Sequence, residues 1–471
     1  MTNRQPRAGS RRPAAARCPG RARGTRRHRR GARTRGRCGG RGTKASTGNI
    51  GEIAARFGVK AAIRPPSISL RVHLDTGMAR ARSPRYRPLH RAAHPVARRV
   101  LDGGRACSHH SEWRGRIEDA SSQAASRPAG ALDLDKEFPV VRALYVNRFA
   151  AQSTKRMRQL VQIADETEIN ALVIDMKDEF GLNFKTTNSM WAQNAGTAGI
   201  VRDLRGLLDT LRAHKILPIA RLVVFKDSVT ARVHPEWTIR RQDNSVWRDK
   251  KGLAWVNPYH RELWNYNIGL GEELARMGFG EIQFDYIRFP EPYPSLPKQV
   301  FPGNDGMSKP DVLAAFLKEA NARYDKLGVR TTADIFGLVT TVGGPLEVGQ
   351  WWEKISPMVD VVLPMVYPSH YPHGDLGLAV PNAAPYKVVN IAISRARQRD
   401  QKLGITAHEH IRPWLQAFTL GKPPYGPAEI EAQKKGAYDA GYDGWVLWNP
   451  GSKYEPFLPA LEKTLEPRKK T

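Results

Sequence analysis

Aspartates at the ends of apolar runs are the residues of this sequence best suited to chemistry. In "EIQFDYIRFP", Asp285 follows Phe284, Arg288 lies three residues on, and a proline stops the run. "TTADIFG" puts Asp334 at a comparable place on what should be the neighbouring strand. A carboxylate there is costly unless it is paired or used. Cleavage of a glycosidic bond uses such a pair. One group stabilises or attacks the oxocarbenium-like centre, and the other, with a raised pKa, protonates the leaving oxygen. For Asp334 an ion pair with Arg288 or another barrel cation is the structural alternative.

Further polar residues gather at other run ends. "IDMKDEFG" alternates Asp175 and Lys177 onto one face and leaves Asp178 and Glu179 at the terminus. These residues could orient sugar hydroxyls, with Glu179 a reserve acid/base, or Asp175 and Lys177 could form an internal ion pair. Arg221 in "IARLVVF" is expected to hold a carboxylate ionised. Trp255 and Asn257 in "LAWVNP", Tyr367 in "MVYPSHY", and Trp448 and Asn449 in "VLWNP" supply aromatic planes and amides suited to sugar rings, although a single Trp is more often core. Trp351 and Trp352 in "GQWWEKI" fit packing at a helix start.

Other chemistries find little support. His234, His370, His373, His408 and His410 lie in loops without metal-ligand spacing; "HEH" at 408–410 is the one weak metal candidate, and no metal or cofactor is expected. G-x-S-x-G, P-loop and strand-to-helix G-x-G-x-x-G motifs are missing. Cys18, Cys38 and Cys107 all precede residue 136, which excludes thiol chemistry beyond it.

Positioning these residues calls for repeated strand-helix units. Eight β-rich runs, at 141–149, 171–178, 217–225, 281–289, 330–338, 360–368, 411–419 and 443–450, alternate with helical stretches such as "TKRMRQLVQIADETE", "PYHRELWNYNIGLGEELARMG", "KPDVLAAFLKEANARYDKLG" and "AEIEAQKKGAYDAG". The pattern predicts an α/β fold, a (β/α)8 TIM barrel over 140–460 with a few enlarged loops and its site at the C-terminal strand ends. An open doubly wound sheet is the alternative, but no Gly-rich phosphate turn supports it.

The formal charge of +30 is uneven: residues 1–135 hold 31 of the 75 Lys+Arg and 8 of the 45 Asp+Glu. This Arg/Gly/Ala/Pro-biased stretch is expected to be disordered. It is either a basic arm for nucleic acid or another polyanion, or a solvated tail from a start placed too far upstream; aromatic interleaving, the stacking component of a single-strand binder, is lacking. Residues 461–471 form a short basic tail. No window approaches an apolar membrane span and no signal-peptide core is visible, so the chain as written reads as soluble.

"VIDMKDEFG", "FDYIRFP", "TTADIFGLVTT", "DVVLPMVYPSHY" and "IRPWLQAFTLG" resemble the putative glycosyl hydrolase domain family of bacterial barrel proteins, over about Val140 to Pro459. The resemblance implies a glycosidase barrel with Asp285 as nucleophile, Asp334 as its partner and a carbohydrate substrate. Family members often look secreted or membrane-tethered, whereas this chain carries the Arg-rich stretch instead, so its compartment is left open. The expected activity is retaining hydrolysis of a polysaccharide, against a non-catalytic carbohydrate-binding barrel or a nucleic-acid binder led by the arm. A truncation beginning near Leu134 is expected to keep polysaccharide hydrolysis; nucleic-acid affinity that survives it could not come from the arm, while a steep salt dependence lost with the arm would support the nucleic-acid binder.

Overall fold

The computed structural model describes residues 133–464, so the expectations placed on the Arg-rich segment up to residue 132 and on residues 465–471 lie outside it. The strands are β1 (Arg142–Val146), β2 (Ala171–Asp178), β3 (Gly181–Leu182), β4 (Leu217–Val223), β5 (Glu281–Asp285), β6 (Arg330–Phe336), β7 (Val361–Met365), β8 (Trp414–Gln416) and β9 (Trp445–Trp448). All but β3 are parallel, and β1 pairs with both β2 and β9, which closes an eight-stranded barrel among the described residues. β3 is a two-residue antiparallel return on the end of β2.

Alternation along the strands makes two cores. Ala143, Ala171, Val173, Leu217, Ile219, Leu363 and Val446 fill the barrel interior. Their neighbours Leu144, Leu172, Ile174, Leu222, Ile282 and Phe284 face the surrounding helices. Burial on both faces is why the strands appear in sequence as nearly continuous apolar runs. Leu134 and Phe138, on and just after the short helix Leu134–Glu137, join the interior cluster.

Each predicted helical stretch forms its helix: Thr154–Glu166, Arg261–Met277, Lys309–Tyr324 and Pro427–Asp439. Gly271 within the second of these is required by close approach, since a Cβ there would meet the Tyr324 hydroxyl at 1.9 Å. Gly278, at φ 118°, ends the same helix in the left-handed conformation. The strands are mostly shorter than their apolar runs. Of the eight barrel strands β8 is the shortest, because Pro413 has no N–H to donate, leaving a lone bridge at Ile411 ahead of Trp414–Gln416. Trp352 opens the short helix Trp352–Ile355 and is buried, donating its indole N–H to Asp400 at 2.8 Å.

Two excursions enlarge the C-terminal end. Residues 224–260, between β4 and its helix, are held by the bridges Arg240↔Val246 and Arg248↔Ala254, and Arg240↔Val300 ties them to the excursion after β5. Their small core is Ile239, Trp247 and Trp255, with Tyr286, Leu296 and Phe301 against it.

Charge is buried at the start of β5. Glu281 is fully buried and receives hydrogen bonds from Arg412 at 2.7 and 3.1 Å and from Arg330 at 3.0 Å. Burial alone would raise its pKa; Arg412 and Arg330 outweigh burial and hold the carboxyl below its usual range. A depressed folded pKa gives stability that is present above the unfolded value and lost as pH falls through the folded one. Glu281→Gln is therefore expected to cost about 3–5 kcal/mol at neutral pH by stranding the buried Arg412, while Arg330 keeps Asp135. In urea unfolding, the difference from wild type should narrow below about pH 4.3.

Candidate active site

The C-terminal strand ends converge on one guanidinium. Arg221 projects inward from β4, level with Asp175 of β2 and Gln283 of β5. Its Nη1 donates to Asp175 at 2.5 Å, its Nη2 donates to Asp285, and its Nε lies 3.6 Å from Asp334 Oδ2. The pairing of Phe284 with Ala333 puts Asp285 and Asp334 on the same rung of adjacent strands. Burial would lower the Arg221 pKa, yet Asp175, Asp285 and Asp334 hold it above its ordinary value.

The three carboxyl groups are held differently. Asp175 accepts from the Tyr145 hydroxyl at 2.5 Å as well as from Arg221; burial raises its pKa while both partners oppose the rise. Asp285 accepts the N–H of Tyr286 at 2.5 Å as well as Arg221. Tyr286 has φ 53°, a left-handed conformation that costs a non-glycine residue roughly 1–3 kcal/mol and collects at functional sites. It ends β5 and folds the backbone amide back onto the carboxylate before it. Asp334 is 1% exposed and accepts from Trp414 Nε1 at 2.6 Å and Gln283 Nε2 at 2.8 Å. Its Oδ2 is buried without a hydrogen bond, and burial followed by the charge of Asp285 pushes its pKa well above the usual carboxylate range. The cluster therefore favours the neutral form of Asp334.

Above the guanidinium opens a cleft of about 560 Å³, lined at its floor by Asp175, Arg221 and Asp285. One wall is Tyr145, Trp414, Tyr367 and Trp448, with Tyr367 and Trp448 stacked at 5.0 Å. The rim carries Glu179, Phe180, Lys226, Arg232 and Lys251. Phe180 is 43% exposed and meets Phe149 edge-on at 5.8 Å.

The structure thus brings together Asp175, Glu179, Arg221, Asp285, Tyr367 and Trp448, and sets Asp334 directly behind them. Five residues expected in the cleft lie elsewhere. A bulge between Asp175 and Lys177 breaks the alternation that put them on one face, so Lys177 pairs with Asp227 at 2.8 Å and lies against the Tyr266 ring on the helix side. Arg288 is buried over Trp255, Tyr286 and Phe336 and pairs with Glu291 rather than Asp334. Trp255 is 1% exposed, with its indole N–H on Asp249 at 3.0 Å. Asn257 is a buried loop tie to Pro302 and Tyr259, and Asn449 bonds Ala417 and the backbone of the turn that follows it. Their Asn-Pro signatures mark turns.

Sequence reasoning passed over Tyr145, Trp414, Tyr286 and the three rim cations. Tyr145 was accessible from alternation, being two residues beyond inward Ala143, whereas Tyr286 gives no signal because its role lies in its backbone. The "HEH" stretch divides. His408, Glu409 and Asp443 bring ligand atoms within 4.8 Å of one another, but Glu409 already accepts the N–H groups of Asp443 and Gly444. His410 turns away to Asp360 and Ser356.

An eight-stranded barrel with clustered carboxylates and aromatic walls at its C-terminal mouth is the architecture of a glycosidase-like hydrolase. The chain belongs to the family described as putative glycosyl hydrolase domain, whose sequence profile matches residues 143–454. Among solved structures it is similar to a hypothetical protein from Ruminiclostridium thermocellum, with 33% identity, 41% of this chain and 96% of that one covered, and a TM-score of 0.37. It is also similar to the PgaB (BpsB) glycoside hydrolase domain from Bordetella bronchiseptica, at 16% identity, 68% and 98% coverage and a TM-score of 0.48. The spore cortex-lytic enzyme SleL from Bacillus megaterium is similar at 12% identity, 68% and 72% coverage and a TM-score of 0.42. No curated protein matches the sequence. No helix among the described residues is long and apolar enough to cross a membrane.

A carboxyl whose folded pKa is raised gives stability that is fully present below the unfolded value, near pH 3.9, and lost as pH rises through the folded one. Asp334→Asn is expected to abolish that decline. Urea unfolding across pH 4 to 9 should show wild type losing stability relative to the variant as pH rises.

Proposed function

We propose that this protein hydrolyses O-glycosidic bonds of a polysaccharide, with Asp285 as nucleophile or electrostatic stabiliser and Asp334 as acid/base, by a retaining course. The observation that carries the reading is the unequal pair on one rung: Asp285 paired to Arg221, and Asp334 buried behind it with its carboxyl pKa pushed up. Two neighbouring carboxyl groups in such different surroundings suit the separate roles of acid and nucleophile.

In the first step an Asp285 oxygen attacks the anomeric carbon, the glycosidic C–O bond breaks, and the leaving oxygen takes the acid's proton. In the second, water gives its proton back to the same group, attacks the anomeric carbon and releases Asp285. The Tyr145, Trp414, Tyr367 and Trp448 wall supplies planes against which sugar C–H faces pack. Glu179 lines the cleft and is the reserve acid/base.

One observation favours the rival reading, a barrel that holds sugar without cutting it: Asp334 is enclosed and does not itself line the cleft. Release of reducing ends from a polysaccharide panel separates the two. Asp285→Asn is expected to lower turnover about a thousandfold or more with binding retained. Asp334→Asn should cost about 10²–10⁴-fold, with relief on a substrate whose leaving group needs no proton. If Glu179→Gln shows that relief instead, the acid is Glu179. Binding by wild type with no new reducing ends on any glycan would establish the rival.

A further inference from the structure

The rim of the cleft carries positive charge that the carboxylate cluster does not use. Lys226, Arg232 and Lys251 all line the cleft, and all come from the one excursion 224–260. Asp175 and Asp285 are already served by Arg221. Among the described residues, neither Lys226 nor Arg232 has a carboxylate within ion-pairing distance or a side-chain hydrogen bond. Lys226 is half-buried, its ammonium 4.9 Å from the centre of the Tyr286 ring, so it is held beside the residue that anchors Asp285. Arg232 is exposed on the short helix Thr230–Val233 and Lys251 on the loop that leads back to the barrel.

A solvated basic face would explain three cations scattered over a surface. Lys226 and Arg232 converge on one cavity whose floor carboxylates Asp175 and Asp285 are paired to Arg221, and there like charges repel one another and an anion relieves the repulsion. The positive charge is not a general property of the barrel region, because residues 136–471 hold 44 Lys+Arg against 37 Asp+Glu. The rim is also one-sided, with Glu179 and Phe180 contributed by the end of β2 and the cations by the excursion after β4.

We infer that the cleft selects an anionic glycan, a saccharide bearing carboxylate, sulfate or phosphate groups, and that Lys226 and Arg232 recognise the charged substituent next to the sugar held over Asp285. This inference deepens the hydrolase reading and takes from it only that sugar occupies the cleft.

The test uses the full chain carrying Asp285→Asn, with and without the double substitution Lys226→Gln/Arg232→Gln. The Arg-rich N-terminal segment is then common to every arm and drops out of the comparison. Binding is measured to uronate, sulfated and phosphorylated oligosaccharides, each beside its carboxyl-reduced, desulfated or dephosphorylated counterpart. At least one acidic glycan is expected to bind more tightly than its neutral twin. The double substitution should weaken that binding about five- to tenfold and leave the twin unchanged. The preference should fade in 0.5 M salt, where charges are screened within about 4–5 Å. The charge-preserving variant Lys226→Arg/Arg232→Lys should keep it.

Equal or tighter binding of the neutral twins overturns the inference, as does acidic-glycan binding that the double substitution leaves intact or failure of every acidic glycan to bind. Hydrolysis by the unsubstituted chain is read in parallel. An acidic glycan bound through Lys226 and Arg232 but left uncut preserves the inference and removes the hydrolase; a neutral glycan cut regardless of these two residues does the reverse.

Discussion

Arg221 is the interaction on which the barrel mouth depends. Asp175, Asp285 and Asp334 arrive from three strands and would repel one another without a common cation between them. The barrel supplies that cation from β4, which lies between β2 and β5, and β6 follows next in the ring. A single guanidinium can present donors in three directions because it is planar and permanently charged; a lysine at the same place would act as a point charge. One positive charge cannot balance three negative ones, and burial with the charge of Asp285 accordingly pushes the pKa of the deepest carboxyl, Asp334, well above the usual range. Strand order, register and proton placement are thus linked through one side chain.

The rest of the mouth keeps that arrangement rigid. Trp414 and Gln283 fix one oxygen of Asp334, the Tyr145 hydroxyl fixes Asp175, and the strained Tyr286 backbone gives Asp285 an amide that a regular strand would have sent into the sheet ladder. Strain of this kind persists only where its surroundings over-determine it. Here the Tyr286 ring is held between Trp255, Lys226 and Arg288. Trp255 and Arg288 therefore act beneath the floor of the cleft, and their contribution to the site is mechanical.

The barrel was legible because both of its cores are written as alternation. Runs such as "ALVIDMKD" and "EIQFD" show apolar residues on both faces, and turn signals separate them from the helices. Asp285, Asp334 and Arg221 were legible as polar residues at the ends of such runs. Lys177 was not, because one bulge after Asp175 reverses the face of every later residue in the strand, and no composition rule marks where a bulge falls. Trp255, Asn257 and Asn449 were misplaced for another reason: an aromatic-bearing apolar run ending in Asn-Pro or Tyr-Pro describes a chain leaving a strand, and two of the three such places lead into loop cores or tight turns. Only tertiary packing distinguishes a tryptophan that walls a cleft, such as Trp448, from one that fills a loop core, such as Trp255.

The excursion between β4 and its helix has its own small core and joins the barrel at its two ends, through the Lys177–Asp227 pair and through the packing of Trp255 and Lys226 on Tyr286. None of the strand-end carboxylates comes from it. Insertions, deletions or charge changes within 224–260 that leave Trp255 and Lys226 against Tyr286 would alter which molecules fit while the rung of acids stays as it is. Descendants of one ancestral barrel could in this way diverge in diet without relearning their chemistry.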